Sequence, residues 1–385
     1  MKIAMIGQKG IPVITGGVER HVEELAKQLV LDGHTVTVYC RSTYSRLRTD
    51  EYLGICLKYV KTLKNKNLEA IIYSFKASIQ VLFDDDDIIH YHALGPAMFS
   101  FIPRLFGKKV IVTIHGLDWQ RDKWGKIAKT YLKLAEPVAA FFALKLISVS
   151  ENVRGYFIEK YHKDEKDIIF IPNGVAVHPP IHPKEICRLG LNRNEYILFL
   201  ARIVPEKGAH YLIRAYQMLE TDKKLVIAGG ACYTHGYYQH LVNLAQNNPR
   251  IIFTGEVQGT FLAELYSNAY LYVLPSDIEG MPITLLEAMS FGKCCLTSDI
   301  PENIAVIQSE FGFRFKQGDI KELSKMLSFL LMRPDLVESI GNKAFREITT
   351  KYDWTDIKNQ TYAVYQSVLG NNRNLFSTGE CESMK

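Results

Sequence analysis

The chain has 385 residues, of which 47% are hydrophobic and 23% charged, with a formal net charge of +5 and a mean hydropathy of −0.04. That is more chain than one hydrophobic core commonly serves, so two α/β domains are expected, and the balance excludes a disordered or membrane-spanning protein. The mild positive charge does not call for nucleic acid, and no nucleic-acid partner is expected; anionic small molecules or an acidic lipid surface suit it as well.

The amino terminus reads from Met1 straight into a strand without a cleavage site, which points to the cytoplasm. Lys2–Ile6 is the expected first strand, buried on both faces. Val18, Val22, Leu25, Ala26 and Leu29 then recur at helical spacing until Gly33 stops the helix. Strands are expected next at 35–40, Ile88–His92, 109–115 and 146–150, with helix-compatible stretches between them, completing a Rossmann-like domain over 1–172. Pro172 and the pair Asn173-Gly174 suit a turn leaving the sheet, and the hinge is placed there. A second series, with strands at Tyr196–Leu200, Lys224–Ala228, 250–254, 269–274 and 293–297, makes a like domain over 173–352. A helix within 353–371 is expected to cross back to the first domain, and 372–385 reads as a polar tail. Seven cysteines without C-x-x-C spacing make neither a disulfide framework nor a zinc site, and the adjacent Cys294 and Cys295 are read as core.

Three loops carry chemistry. The first strand is followed by Gly7, Gly10, Gly16 and Gly17, a loop ending at a helix start where backbone can approach a phosphate or sugar; a plain tight turn is the competing reading. The stretch from Ser276 to Glu287 is a strand-end loop feeding a helix, with Pro282 expected as the first helical residue. The amides around Gly280, Met281, Ile283 and Thr284 point out of that helix start and can hold diphosphate oxygens, while Glu279 and Glu287 can accept from sugar and ribose hydroxyls. Against this, Glu287 is readable as a solvated or ion-paired helix residue. After the strand ending at Leu200, Arg202 can fork onto a diphosphate and Lys207 can supply a point charge; exposed loop charges are the plainer reading.

With these motifs, the sequence resembles the family-four retaining glycosyltransferases of the GT-B fold, also described as glycosyl transferases group 1, over nearly its whole length. The resemblance implies an α/β fold with two Rossmann-like domains facing across a cleft. It implies a retaining, hexosyl-transferring enzyme that takes a nucleotide sugar and passes the sugar to a glycan or lipid-linked acceptor, in cell-surface polysaccharide assembly, with no metal or other cofactor. The paired glutamates Glu279 and Glu287 are then the donor-sugar and ribose contacts, and Arg202 and Lys207 the diphosphate contacts. Gly16 and Gly17 approach the donor phosphates, His115 lies by the transferred sugar, and Glu256-Val257 resembles the loop flanking the nucleobase.

Other readings stay open. His115, His90 and His92 end strands, where a hydrogen-bonded core histidine is common, and the histidines show no metal-ligand spacing. The run Asp84 to Asp87 precedes a strand and reads as a solvated loop at the sheet's opposite edge. An NAD enzyme would want a carboxylate where the chain has Cys40-Arg41-Ser42, which disfavours NAD, while Arg41 leaves NADP formally open. A sugar-nucleotide epimerase, or a non-catalytic nucleotide-sugar-binding subunit of a glycan-assembly complex, remains the alternative. From Trp119 to Lys133 the sequence is basic and amphipathic, with Trp124, Ile127, Ala128 and Tyr131 on one face and Lys123, Lys126, Lys129 and Lys133 largely off it. That suits either a core-facing helix or reversible docking at an anionic inner membrane surface.

Overall fold

The computed structural model describes residues 1–14, 16–44, 48–63, 65, 68–121, 124–230 and 235–370, which form two compact units. Met1–His115, Thr130–Ile171 and the chain from Thr355 onward make the first; Gly116–Lys129 and Pro172–Trp354 make the second. Lys123 and the polar tail lie outside the described residues.

The first unit is built on β1 (Lys2–Ile6), β2 (Thr35–Arg41), β3 (Glu51–Tyr52), β4 (Ile55–Val60), β5 (Ile88–His92), β6 (Val110–Ile114), β7 (Lys145–Ser148) and β8 (Ile168–Phe170). Their order is β3-β4-β2-β1-β5-β6-β7-β8, parallel throughout except for the hairpin of β3 with β4. Leu53 and Gly54 both take positive φ, as a two-residue turn matched to strand twist requires. β5 and β6 are buried at every residue, the mark of central parallel strands covered on both faces. The helix Gly17–Leu31 lays Val22, Leu25, Ala26 and Leu29 on the sheet, and Gly33 ends it with its N–H on Val30 O at 2.9 Å.

From Thr355 on, the helix Trp354–Leu369 belongs to the first unit by its contacts. Tyr365 OH meets His90 Nδ1 at 2.7 Å, Tyr362 stacks on His34 at 4.9 Å, and Lys358 pairs with Asp32. The aspartate run is more than a solvated loop. Asp84 takes Lys58 Nζ at 2.5 Å, Asp85 takes Lys2 Nζ at 2.9 Å and Asp87 takes the Lys2 N–H at 2.7 Å, so the run ties the starts of β5 and β1 together.

The second unit carries β9 (Tyr196–Leu200), β10 (Lys224–Ala228), β11 (Ile251–Gly255), β12 (Leu271–Leu274), β13 (Cys295–Ser298) and β14 (Phe313–Phe315). The order is β11-β10-β9-β12-β13-β14, parallel throughout. Phe199, Tyr272, Leu285, Leu286 and Leu296 centre its core, and Cys294 and Cys295 are wholly buried in it. In each sheet the strand order reverses once: between β1 and β5 in the first, between β9 and β12 in the second. Connections leave in opposite directions at such a point and open a crevice at the strands' carboxyl ends.

Candidate functional site

In the second unit the loops after β9 and β12 meet at the reversal. Gly208 makes the approach feasible: it has φ of +70°, and a Cβ there would lie 1.9 Å from the Pro275 carbonyl oxygen. Asp277 N–H donates to Glu206 O at 2.9 Å, and Ser298 Oγ donates to Ser276 O at 2.5 Å, fastening both loops to the sheet.

On this frame Lys207 Nζ lies 2.5 Å from Glu279 Oε1, which also accepts from Ser276 Oγ at 2.7 Å. The pair is largely shielded, with 13% and 6% of the side chains exposed. Burial lowers the Lys207 pKa, Glu279 opposes that, and Arg202 adds to it. Arg202 is open to water in a recess crowded by protein: desolvation and then Arg121 lower its pKa, while Glu206 and Glu279 pull it up. Two cations and one ion-paired carboxylate therefore share a recess in which a phosphate would replace repulsion with attraction. Arg121, held by Asp118 at 3.3 Å, is a third cation acting on both Arg202 and Lys207. It lies in the segment from Trp119 to Lys133, which sequence reading treats only as amphipathic. Glu206 is buried with neither carboxylate oxygen hydrogen-bonded.

Pro282 is the residue before the helix Ile283–Ser290, not its first residue; its ψ of 93° is extended. Gly280 and Met281 lie in the loop before that start, and Gly280 is packed so closely that a Cβ on Gly116 would come within 3.2 Å of its Cα. The Met281 side chain is turned away, its sulfur accepting the Asn173 N–H at 3.0 Å, so only its backbone is on offer. Ile283 and Thr284 open the helix, with Thr284 Oγ1 held by Tyr272 OH at 2.9 Å. Glu287 is neither solvated nor an ordinary surface residue: it is 8% exposed and its Oε2 accepts from Tyr266 OH at 2.9 Å. Glu256 is exposed just past β11, beside Gly230, while the Val257 side chain packs into the core.

The first unit's reversal is furnished differently. Gly16 precedes the helix Gly17–Leu31 with φ of +115°, and a Cβ there would strike Glu19 Oε2 at 1.9 Å. Glu19 Oε1 accepts the Lys9 N–H at 3.0 Å and Glu23 Oε2 the Val13 N–H at 2.7 Å, so carboxylates from the helix already hold part of this loop. The loop is less open to an anion than its glycines suggest; the Gly16–Gly17 turn is the part left clear of those two bonds.

His115 follows β6 directly and is half-buried, its Nε2 3.3 Å from His92 Nδ1. His92 is wholly buried, and burial, then His90, push its pKa well below the usual histidine value. His90 is structural, bonded at 2.7 Å to both Tyr365 OH and Thr113 Oγ1, and burial lowers its pKa to about 3. His21, from the helix Gly17–Leu31, packs its ring 4.9 Å from that of His115. Sequence spacing gives no hint of this grouping, because its members come from three elements.

The chain matches Glycosyltransferase Family 4 over residues 15–178 and Glycosyl transferases group 1 over residues 184–347. It is 26% identical to an uncharacterised glycosyltransferase of Methanocaldococcus jannaschii, covering 96% of this chain and 99% of that protein. It is 29% identical to a UDP-Gal:alpha-D-GlcNAc-diphosphoundecaprenol alpha-1,3-galactosyltransferase of Escherichia coli, covering 66% and 68%. The Anabaena protein HepE in complex with UDP-glucose has a similar fold, with a TM-score of 0.80 at 20% identity over 95% of this chain and 100% of that one. With one profile on each half, and two parallel α/β sheets whose reversals place the loops described, the chain belongs to the family-four glycosyltransferases of the GT-B fold, relatives of polysaccharide and glycan synthases.

Proposed function

We propose that the protein transfers a hexosyl residue from a nucleoside diphosphate sugar, with retention of configuration, to a glycan or lipid-linked acceptor in cell-surface polysaccharide assembly. The observation that carries this reading is the convergence of Arg202, Lys207 and Glu279 beside the start of the helix Ile283–Ser290, at the second sheet's reversal. The diphosphate rests on Arg202, Lys207 and the backbone of Gly280, Met281, Ile283 and Thr284. Negative charge grows on the departing diphosphate, and fixed cations stabilise it most in that state. Glu287 holds the ribose diol, and Glu256 with the Val257 backbone flanks the base. His115 is assigned to the transferred sugar and the Gly16–Gly17 turn to the donor phosphates.

Glu279 is committed to Lys207 and Ser276, which suits a hydroxyl-binding role better than that of a nucleophile. The reading therefore assigns departure and attack to the same face, with a phosphate oxygen taking the acceptor proton. It assigns no metal or other cofactor to the transfer step. The UDP-Gal in the name of the Escherichia coli relative and the UDP-glucose bound by HepE support a uridine diphosphate donor as the first to test. Thermal-shift screening of nucleoside diphosphates, followed by nuclear magnetic resonance of the product's anomeric linkage, tests the reading. An inverted product refutes retention, and donor consumed without acceptor into an epimer refutes transfer.

A second reading concerns a membrane surface. Among the described residues, no helix is long and apolar enough to cross a membrane. The segment 119–133 is not one amphipathic helix: Asp118–Gln120 is a 3-10 turn, and the helix runs Lys126–Phe142 with Tyr131 OH turned onto Gly95 O at 2.9 Å. The exposed apolar side chains recur instead at Ile127 (88%), Leu134 (55%) and Phe141 (81%), with Lys126 and Lys133 also exposed. Apolar side chains beside lysines suit an anionic lipid surface. Sedimentation with anionic against neutral liposomes, at low and physiological salt, tests it; equal recovery with both refutes electrostatic docking.

A further inference from the structure

Three histidines from separate stretches of chain converge in the first unit. His21 lies in the second turn of the helix Gly17–Leu31, His92 ends β5, and His115 follows β6. Their ring centroids form a triangle with sides of 4.9 Å (His21–His115), 5.6 Å (His21–His92) and 5.6 Å (His92–His115). One nitrogen from each lies within 4.8 Å of the other two, and His92 Nδ1 is 3.3 Å from His115 Nε2.

These are the dimensions of a tridentate imidazole site. A zinc ion bound tetrahedrally at about 2.05 Å sets its nitrogen ligands about 3.4 Å apart, and the imidazole centroids then lie about 5 Å apart. The His92–His115 pair already has that nitrogen spacing. The widest pair has to close by about 1.4 Å, within reach of small χ rotations on otherwise fixed elements. A cation bound through His92 Nδ1, the nitrogen that faces His115, gives the three rings a common partner. The neighbouring His90 makes the contrast, since both its nitrogens are taken by Tyr365 and Thr113.

We propose that His21, His92 and His115 form a three-nitrogen site for a divalent transition-metal ion of the zinc class, with the remaining coordination position on the half-buried His115 side. Three imidazoles suit zinc, cobalt, nickel or copper and not the hard cations magnesium and calcium. The site does not depend on the donor reading. Resting on that reading, one consequence follows: an ion that engages His115 withdraws it from the transferred sugar, so the site is inhibitory and the ion is no part of the transfer chemistry.

The test uses the whole 385-residue chain, stripped of metal and titrated with Zn²⁺ by calorimetry and with Co²⁺ by visible absorption, without donor or acceptor. The expected result is one ion per chain and the intense bands of four- or five-coordinate cobalt. His21→Asn, His92→Asn and His115→Asn should each weaken Zn²⁺ binding by more than about a hundredfold, beyond what loss of a supporting residue costs. The exposed His182→Ala should leave it unchanged. Thermal melting confirms that each variant folds; if His92→Asn does not, His21→Gln and His115→Gln carry the test. Absence of binding at micromolar Zn²⁺, or tight binding that survives the loss of His21 and of His115, overturns the site.

Discussion

The two sheets reverse in the same way but are furnished with opposite electrostatics. At β9 and β12 the recess holds charged groups, with Lys207 resting on Glu279 and Arg202 and Arg121 adding to the positive field. At β1 and β5 the imidazoles of His90 and His92 are buried and favoured neutral, and the nearby amides of Lys9 and Val13 are closed by Glu19 and Glu23. A charged recess exchanges partners readily, because an arriving anion replaces one ionic contact with another. A buried neutral cluster is held by hydrogen bonds whose loss is felt as lost stability. Variants on the two sides should therefore differ in kind: turnover and ligand affinity on one, folding free energy on the other.

The largest effect is expected from Arg202→Ala and Lys207→Ala, each lowering kcat/KM by about ten- to a few hundredfold in a donor-consumption assay, mostly through kcat. Melting temperatures close to wild type would sharpen the contrast, whereas a collapse of stability in Arg202→Ala would break it. Next, Glu287→Ala should weaken nucleoside diphosphate binding by about tenfold in calorimetry, the loss of one charge-assisted hydrogen bond. Unchanged affinity refutes the ribose assignment. Tyr365→Phe strips the buried His90 Nδ1 of its 2.7 Å partner and should cost about 1–3 kcal/mol in denaturant unfolding, with nucleotide affinity unaltered.

The smallest expected effect depends on pH. Burial and then Asp84 raise the Asp86 pKa from 3.8 to about 6. The folded state therefore favours the protonated form; the stability that goes with it is present in full below the unfolded pKa and is lost as pH rises through about 6. Asp86→Asn should match wild type below pH 4 and exceed it above pH 6 by about 1 kcal/mol, after allowance for the water on its open side. Equal unfolding midpoints at pH 4 and pH 8 for wild type relative to the variant would show that the raised carboxyl is absent.

Legibility in the sequence followed the distance over which the causes act. Strands such as Tyr196–Leu200 and Ile88–His92 are fully buried, so their apolar runs announce them. β4 escapes because it alternates buried and exposed residues around Lys58, and β8 and β14 because three residues carry too little pattern. The pairing of Lys207 with Glu279 was approachable because each lies in a short strand-end loop with its own Gly and Pro signals. Arg121 and Ser276 were missed, since a single Arg in a basic segment and a Ser in a loop look like surface. The histidine trio was invisible for a stronger reason: His21, His92 and His115 become neighbours only through the order β2-β1-β5-β6, which no local spacing encodes.

The helix Trp354–Leu369 bears on how the chain acquires its structure during synthesis. The first unit's core histidine His90 finds its partner Tyr365 275 residues later, and Asp32 waits 326 residues for Lys358. Domains generally fold in the order in which they leave the ribosome, but here the second unit has all its residues out before the first does. Until Thr355 and its successors emerge, the amino-terminal sheet stands with a buried-to-be imidazole and an apolar face unfilled. A chain cut short before Lys358 and Tyr365 would thus damage the half of the protein made first, and a ribosome pausing late exposes that half to chaperones for longest.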